Sequence, residues 1–172
     1  WPRERLLPLA QRLGADVPFF VGGRNAFVEG IGEHLTPIDV PPQWLAVLKP
    51  AAGLSTADVF SHPALVRDTP SSILAAFLAE ATQPGFWRTS WGRNDLQPPA
   101  ENRCPEVAQA AEWLQSRFGN SRMSGSGSAV FARNGMDDQP LVTWPQEDSL
   151  PAGWVGRMCR SLAQHPLLDW AG

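Results

Sequence analysis

Leu13-Gly14-Ala15-Asp16-Val17-Pro18-Phe19-Phe20, followed at once by Val21-Gly22-Gly23, sets one carboxylate between a flexible turn and a run of apolar residues. Upstream, Leu6, Leu9 and Leu13 recur at helical spacing, and Gly14 can end that helix as its C-terminal glycine. Pro8 inside it predicts a kink, or a helix that starts near that point. Asp16 therefore falls just past a helix end and leads into Pro18-Phe19-Phe20-Val21, which reads as a strand. Gly22-Gly23 turns the chain into a second short strand, Ala26-Phe27-Val28, and Gly30-Ile31-Gly32-Glu33 is a further turn. An aspartate among such neighbours is expected to be partly desolvated, so its protonation state can be tuned by what lies beside it. The competing reading is a turn or N-cap aspartate with a local structural role.

Further along, Trp44 to Leu48 reads as a buried strand stopped by Pro50, and Ser55-x-x-Asp58 as a capping pair opening a short helix through Val59 and Phe60. Ile73, Leu74, Phe77 and Leu78 form an apolar stripe on a helix from about Ser71 to Glu80. Thr82 to Ala100, rich in Pro, Gly and Trp, reads as irregular. The strongest helix is Pro105 to Phe118: proline opens it, Val107, Ala111, Leu114 and Phe118 share a face, and Gly119 follows its end. A glycine-rich turn, Ser124-Gly125-Ser126-Gly127, then feeds a strand from Ser128 to Ala132, and Trp154 to Met158 predicts a last strand. Strands alternating with short helices indicate an α+β fold, with helices over one face of a mostly antiparallel sheet.

Composition narrows the function classes. Hydrophobic residues make up 43% of the chain and charged residues 18%, enough to build a core in 172 residues. The net charge of −3 and the scattered basic residues argue against a nucleic-acid partner, which needs a concentrated basic face. No apolar run approaches the roughly 20 residues that span a bilayer, so no membrane partner is expected. Cys104 and Cys159 lack metal-ligand spacing and read as reduced thiols of a cytoplasmic protein. His34, His62 and His165 stand far apart, so no metal site is expected.

Leu13 to Glu33, Lys49-Pro50 through Ser55-Thr56-Ala57-Asp58-Val59-Phe60, Arg122 to Phe131 and His165-Pro166-Leu167 together resemble, in order, the motifs of the GHMP kinases. Within that superfamily they are similar to the members that act on 4-diphosphocytidyl-2-C-methyl-D-erythritol. GADVPFF is the specific element, whereas SGSG matches many unrelated turns. The family's early lysine-bearing block and its long Gly/Ser-rich phosphate loop have no counterpart here. The resemblance thus implies the C-terminal part of a longer kinase, inactive alone. It implies residues 1–34 as the remnant of an N-terminal nucleotide-binding domain and 35–172 as a ferredoxin-like C-terminal domain. Between Phe131 and Trp154 the family places a helix, which Asp137-Asp138-Gln139-Pro140 and Trp144-Pro145 interrupt.

The activity so implied is ATP-dependent, magnesium-assisted phosphorylation of the substrate's 2-hydroxyl, in the non-mevalonate route to isoprenoid precursors. Asp16 takes the place of the catalytic carboxylate, paired in the family with a lysine. Gly125, Ser126 and Gly127 support the phosphates, since glycines let backbone N–H groups approach anionic oxygen closely. Phe60 matches an aromatic that packs on cytosine, and Ile31 a pocket wall. Asn94-Asp95 matches a recurring pair read as structural. Two other readings stay open: another GHMP kinase with a different alcohol, and a non-catalytic ferredoxin-like binding module in which Asp16 and the glycine turn are only turns.

Overall fold

The computed structural model describes residues 1–70, 74–81, 92–145 and 150–170. They form two units, Trp1–Pro42 with Ser161–Gly172, and Gln43–Arg160. The first of these units ends at Pro42 and takes in the C-terminal segment as well. The reason is pairing. β1 (Ala26–Glu29) and β2 (His34–Pro37) form an antiparallel hairpin. Arg24 bridges Gln164, and the His165 N–H donates to the Gly23 carbonyl at 2.7 Å.

In the first unit α1 (Arg3–Leu13) runs through Pro8 and closes with the Gly14 N–H donating to Ala10. Pro18 to Val21, expected as a strand, lies in a helix, α2 (Val17–Gly22). Pro18 falls in its first turn, where a missing N–H costs nothing. Gly23, at φ 72°, forms the left-handed C-cap that two adjacent glycines make easy, its N–H donating to Phe19. Arg3 then ties α1 to this helix, its Nε donating to the Val21 carbonyl at 2.8 Å. Local β-preference of Phe-Phe-Val yields to these caps and tethers.

The second unit is a four-stranded antiparallel sheet in the order β4-β5-β3-β6, made of β3 (Trp44–Lys49), β4 (Arg122–Met123), β5 (Val130–Arg133) and β6 (Val155–Arg160). With helices between its first two strands, this is the strand order of a ferredoxin-like sheet. Alternation decides which face is covered: Ala46, Leu48, Met123, Val130 and Ala132 all turn to one side and are buried. Against them packs α6 (Pro105–Phe118), through Val107, Ala110, Ala111 and Leu114. Fully burying a side chain such as Val107 or Leu114 contributes about 1.5–3 kcal/mol.

α3 (Thr56–Phe60) starts on Ser55, whose Oγ accepts from the Asp58 N–H, and Val59 anchors it in the core. α4 (Leu74–Ala81) overlaps the apolar stripe read from sequence; residues 71–73 of that reading, and 82–91 of the irregular stretch, lie outside the described residues. The end of that stretch is not irregular. Gln97–Arg103 is a helix, α5, with both prolines of Gln97-Pro98-Pro99 in its first turn. Among the described residues no helix lies between β5 and β6. Its place on the sheet is taken by Trp144, which packs directly on Gly156, stacks with Phe118 of α6 and lies tilted against Trp113.

Candidate active site

Asp16 occupies the turn between α1 and α2, at the N-cap of α2. It is exposed, not desolvated as expected, because the turn lies on the surface of its unit. Its side chain caps none of the α2 amides. The local structural role that Asp at this position usually serves is therefore not being performed, and the carboxylate is available. The turn is held by backbone alone: the Val17 N–H donates to Gly14 at 3.2 Å, and Gly32 packs on Ala15.

Gly32 sits in the β1–β2 turn together with Ile31, so this turn lies against the residue before Asp16. Ile31 is 73% exposed at the hairpin tip. Its N–H donates to a Glu33 carboxylate oxygen at 2.6 Å. The Glu33 N–H and then that of Ile31, with His34 adding a smaller attraction, hold the Glu33 carboxyl below the usual glutamate range against a partly offsetting desolvation.

In the second unit, Gly125, Ser126 and Gly127 form the turn joining β4 to β5, closed by the Ser124 N–H donating to Ala129 at 2.9 Å. Gly125, at φ 60°, requires glycine. A Cβ on Gly125 or Gly127 would meet nothing within 4 Å, so the space over this backbone is open. Phe60, at the last position of α3, is 48% exposed. The same helix reaches the glycine turn: Thr56 Oγ1 and Ser126 Oγ lie 3.0 Å apart in a hydrogen bond. Asp16 and Ile31 thus share one unit, and Phe60 and the glycine turn the other.

Two residues at this turn carry more than their sequence reading assigned. Asn94 closes the turn before α5, its Oδ1 accepting from the Leu96 N–H, and its Nδ2 also donates to the carbonyls of Met123 (3.0 Å) and Gly125 (2.7 Å). Thr56 escaped notice because nothing local distinguishes it from any other residue in a helix's first turn. Asn94→Ala is expected to lower stability by about 1–3 kcal/mol, the cost of stranding several backbone partners, read as the urea midpoint. An unchanged midpoint would show that the turn holds itself. Beside it, Asp95 forms an ion pair with Arg93. The Thr69 hydroxyl and then Arg93 hold its carboxyl low, against desolvation.

A cavity of about 730 Å³ opens at the other end of β5, lined among others by Gln43, Phe118, Arg133 and Asn134. The asparagines at and beside its wall are committed to structure. The Asn134 side chain holds Val142 at both its N–H and carbonyl, and Asn120 binds the backbone of Arg133. Among the described residues no group of three or more His, Cys, Asp or Glu side chains comes together. No described helix is long and apolar enough to cross a membrane. Both cysteines are free, Cys104 buried and Cys159 exposed.

The sheet order agrees with what comparison with known proteins finds. A family model described as GHMP kinases C terminal matches residues 85–133. Over that stretch the chain is similar to the C-terminal domain of the GHMP kinases. The 4-diphosphocytidyl-2-C-methyl-D-erythritol kinase of Methylibium petroleiphilum is 56% identical over 172 residues, all of this chain and 58% of that protein. The kinase of the same name from Polaromonas naphthalenivorans is 47% identical over 169 residues, 98% of this chain and 54% of its own. A crystal structure of 4-(cytidine 5'-diphospho)-2C-methyl-D-erythritol kinase superposes with a TM-score of 0.56 at 32% identity, covering 77% of this chain and 48% of that one. The chain spans about half the length of these relatives.

Proposed function

We propose that this chain works, within a longer polypeptide, as a kinase that phosphorylates the 2-hydroxyl of 4-diphosphocytidyl-2-C-methyl-D-erythritol in the non-mevalonate route to isoprenoid precursors. The observation that carries the reading is Asp16. Its carboxylate caps nothing, in a chain alike from end to end to kinases named for that substrate. Phosphoryl transfer to an alcohol needs little covalent work from the protein beyond positioning, charge neutralisation and removal of one proton. Asp16 orients the attacking hydroxyl and accepts its proton as the new O–P bond forms. Phe60 stacks on the cytosine, and Ile31 walls the pocket. Gly125 to Gly127 present open backbone to phosphate oxygen, with Asn94 and Thr56 fixing the turn's shape.

ATP, when bound, supplies the transferred phosphoryl group. Magnesium in such sites is typically held by one or two carboxylates together with phosphate oxygens and waters. The free thiols agree with a cytoplasmic setting.

The test is a substrate panel given to the complete kinase: the cytidylated methylerythritol, free methylerythritol, mevalonate and homoserine. Only the first should be phosphorylated. Phe60→Ala should raise its KM about tenfold with kcat little changed, as expected for a lost stacking contact of about 1–3 kcal/mol. Turnover of mevalonate or homoserine instead would transfer the chain to another GHMP activity. Cytidine binding with no turnover of any alcohol would leave only a binding module.

A further inference from the structure

The hairpin tip between β1 and β2 is built more tightly than a surface connection needs. Gly30 and Gly32 both take positive φ, 72° and 110°. The Glu33 side chain folds back over the turn, its carboxylate lying so close above Gly30 that a Cβ there would come within 2.4 Å of one oxygen. One oxygen accepts from the Ile31 N–H at 2.6 Å. Gly32 in turn lies against the residue before Asp16: a Cβ on Gly32 would stand 2.3 Å from the Ala15 carbonyl oxygen and 3.0 Å from its carbon. The contact is backbone on backbone, so it cannot be relieved by a rotamer change.

We propose that Glu33 is a positioning residue for the site: by locking the hairpin tip it fixes Gly32 against Ala15, and so sets where Asp16 and Ile31 point. This rests on Asp16 being the carboxylate that receives the hydroxyl proton. The chain of contact is short. The Glu33 carboxylate holds the Ile31 amide, the turn that results places Gly32, and Gly32 backs the Ala15-Asp16 peptide. Asp16 makes no capping bond that would otherwise fix it, so this support from behind matters. His34 approaches the carboxylate at 3.5 Å but is 72% exposed, and an exposed pair of that kind contributes little. The lock is therefore a hydrogen-bond acceptor in the right place, not a charge.

That distinction gives the test. In the complete kinase, Glu33→Ala should lower kcat about tenfold or more, since a displacement of the order of 1 Å at a reacting group can cost up to about a hundredfold. KM for ATP should stay nearly constant. Glu33→Gln, which keeps an acceptor at the same reach, should recover most of the loss. Glu33→Asp, whose carboxylate falls short of the Ile31 amide, should behave like alanine. Amide hydrogen exchange over residues 15–17 should speed up in the alanine and aspartate variants and not in glutamine. Full kcat in Glu33→Ala, in an enzyme that Asp16→Asn inactivates, would overturn the proposal while leaving the kinase reading intact. If Asp16→Asn itself retains turnover, the catalytic reading fails, and unchanged exchange over 15–17 would still overturn the positioning role. Should the alanine variant not fold, the Gln and Asp pair decides: equal kcat in the two defeats the proposal.

Discussion

Asp16→Asn in the complete kinase should lower kcat by about 10²–10⁴-fold, the range that general acid–base groups contribute, while substrate binding changes little. Asparagine keeps the shape and can still orient a hydroxyl, but it cannot take up the proton. The structure makes this a sharper experiment than it would be for most N-cap aspartates. At a working cap, Asp→Ala costs about 1 kcal/mol of stability while Asn is as good as Asp. Here the side chain bonds no helix amide. Asp16→Ala should therefore leave the unfolding midpoint unchanged, and both substitutions should act on turnover alone. Turnover near that of the unmodified enzyme in Asp16→Asn, with the substrate still phosphorylated at the same hydroxyl, would remove Asp16 from the mechanism.

Much of the second unit was legible from local pattern. Pro105 to Phe118 carries proline at its start, glycine past its end and one apolar face, and it is a helix over those same residues. Trp44 to Lys49 and the Ser55 cap follow the same logic, since each is decided within a few residues. The stretch around Asp16 was misread where two local signals conflicted. Phe19-Phe20-Val21 favours a strand by composition, yet a first-turn proline and a left-handed glycine bracket a helix. The arginine that ties this helix down is 18 residues away. Two-residue β4 is too short to show any alternation at all.

The site divides the same way. Residue type and resemblance single out Asp16, Phe60, Ile31 and the glycines as candidates, and the structure sets each in a turn or at an element end. What holds them was hidden. Asn94 reaches Gly125 across 31 positions and Thr56 reaches Ser126 across 70, and no periodicity encodes such contacts. The exposure of Asp16 was likewise misjudged, because flanking apolar residues bury a neighbour only if they fold toward it. Phe20, which follows shortly after, is itself 58% exposed.

The interrupted region before β6 leads to the largest expected effect on stability. Gly156, on the edge strand β6, pairs with Leu48 of β3 and is buried, yet its backbone has no positive φ and would by itself accept alanine. What forbids a side chain is Trp144. A Cβ on Gly156 would stand 1.9 Å from its Cζ2 and under 3 Å from two further ring atoms. The indole cannot easily withdraw: Phe118 stacks on it with centroids 6.0 Å apart at 20°, and Trp113 lies 5.5 Å away. Behind it, the loop is fastened by Asn134 to Val142. Gly156→Ala should therefore cost about 3 kcal/mol, at or above the upper end for overpacking a core, seen as a lower urea midpoint with native-like slope. The decisive comparison is a double-mutant cycle. In a Trp144→Leu background the same substitution should be close to neutral, because the atoms it would strike are gone, although Trp144→Leu is itself destabilising. Additive losses in the cycle would show that Gly156 is required by something other than the ring. Strong coupling would establish that one tryptophan, seated on one glycine, covers the sheet where no helix stands among the described residues.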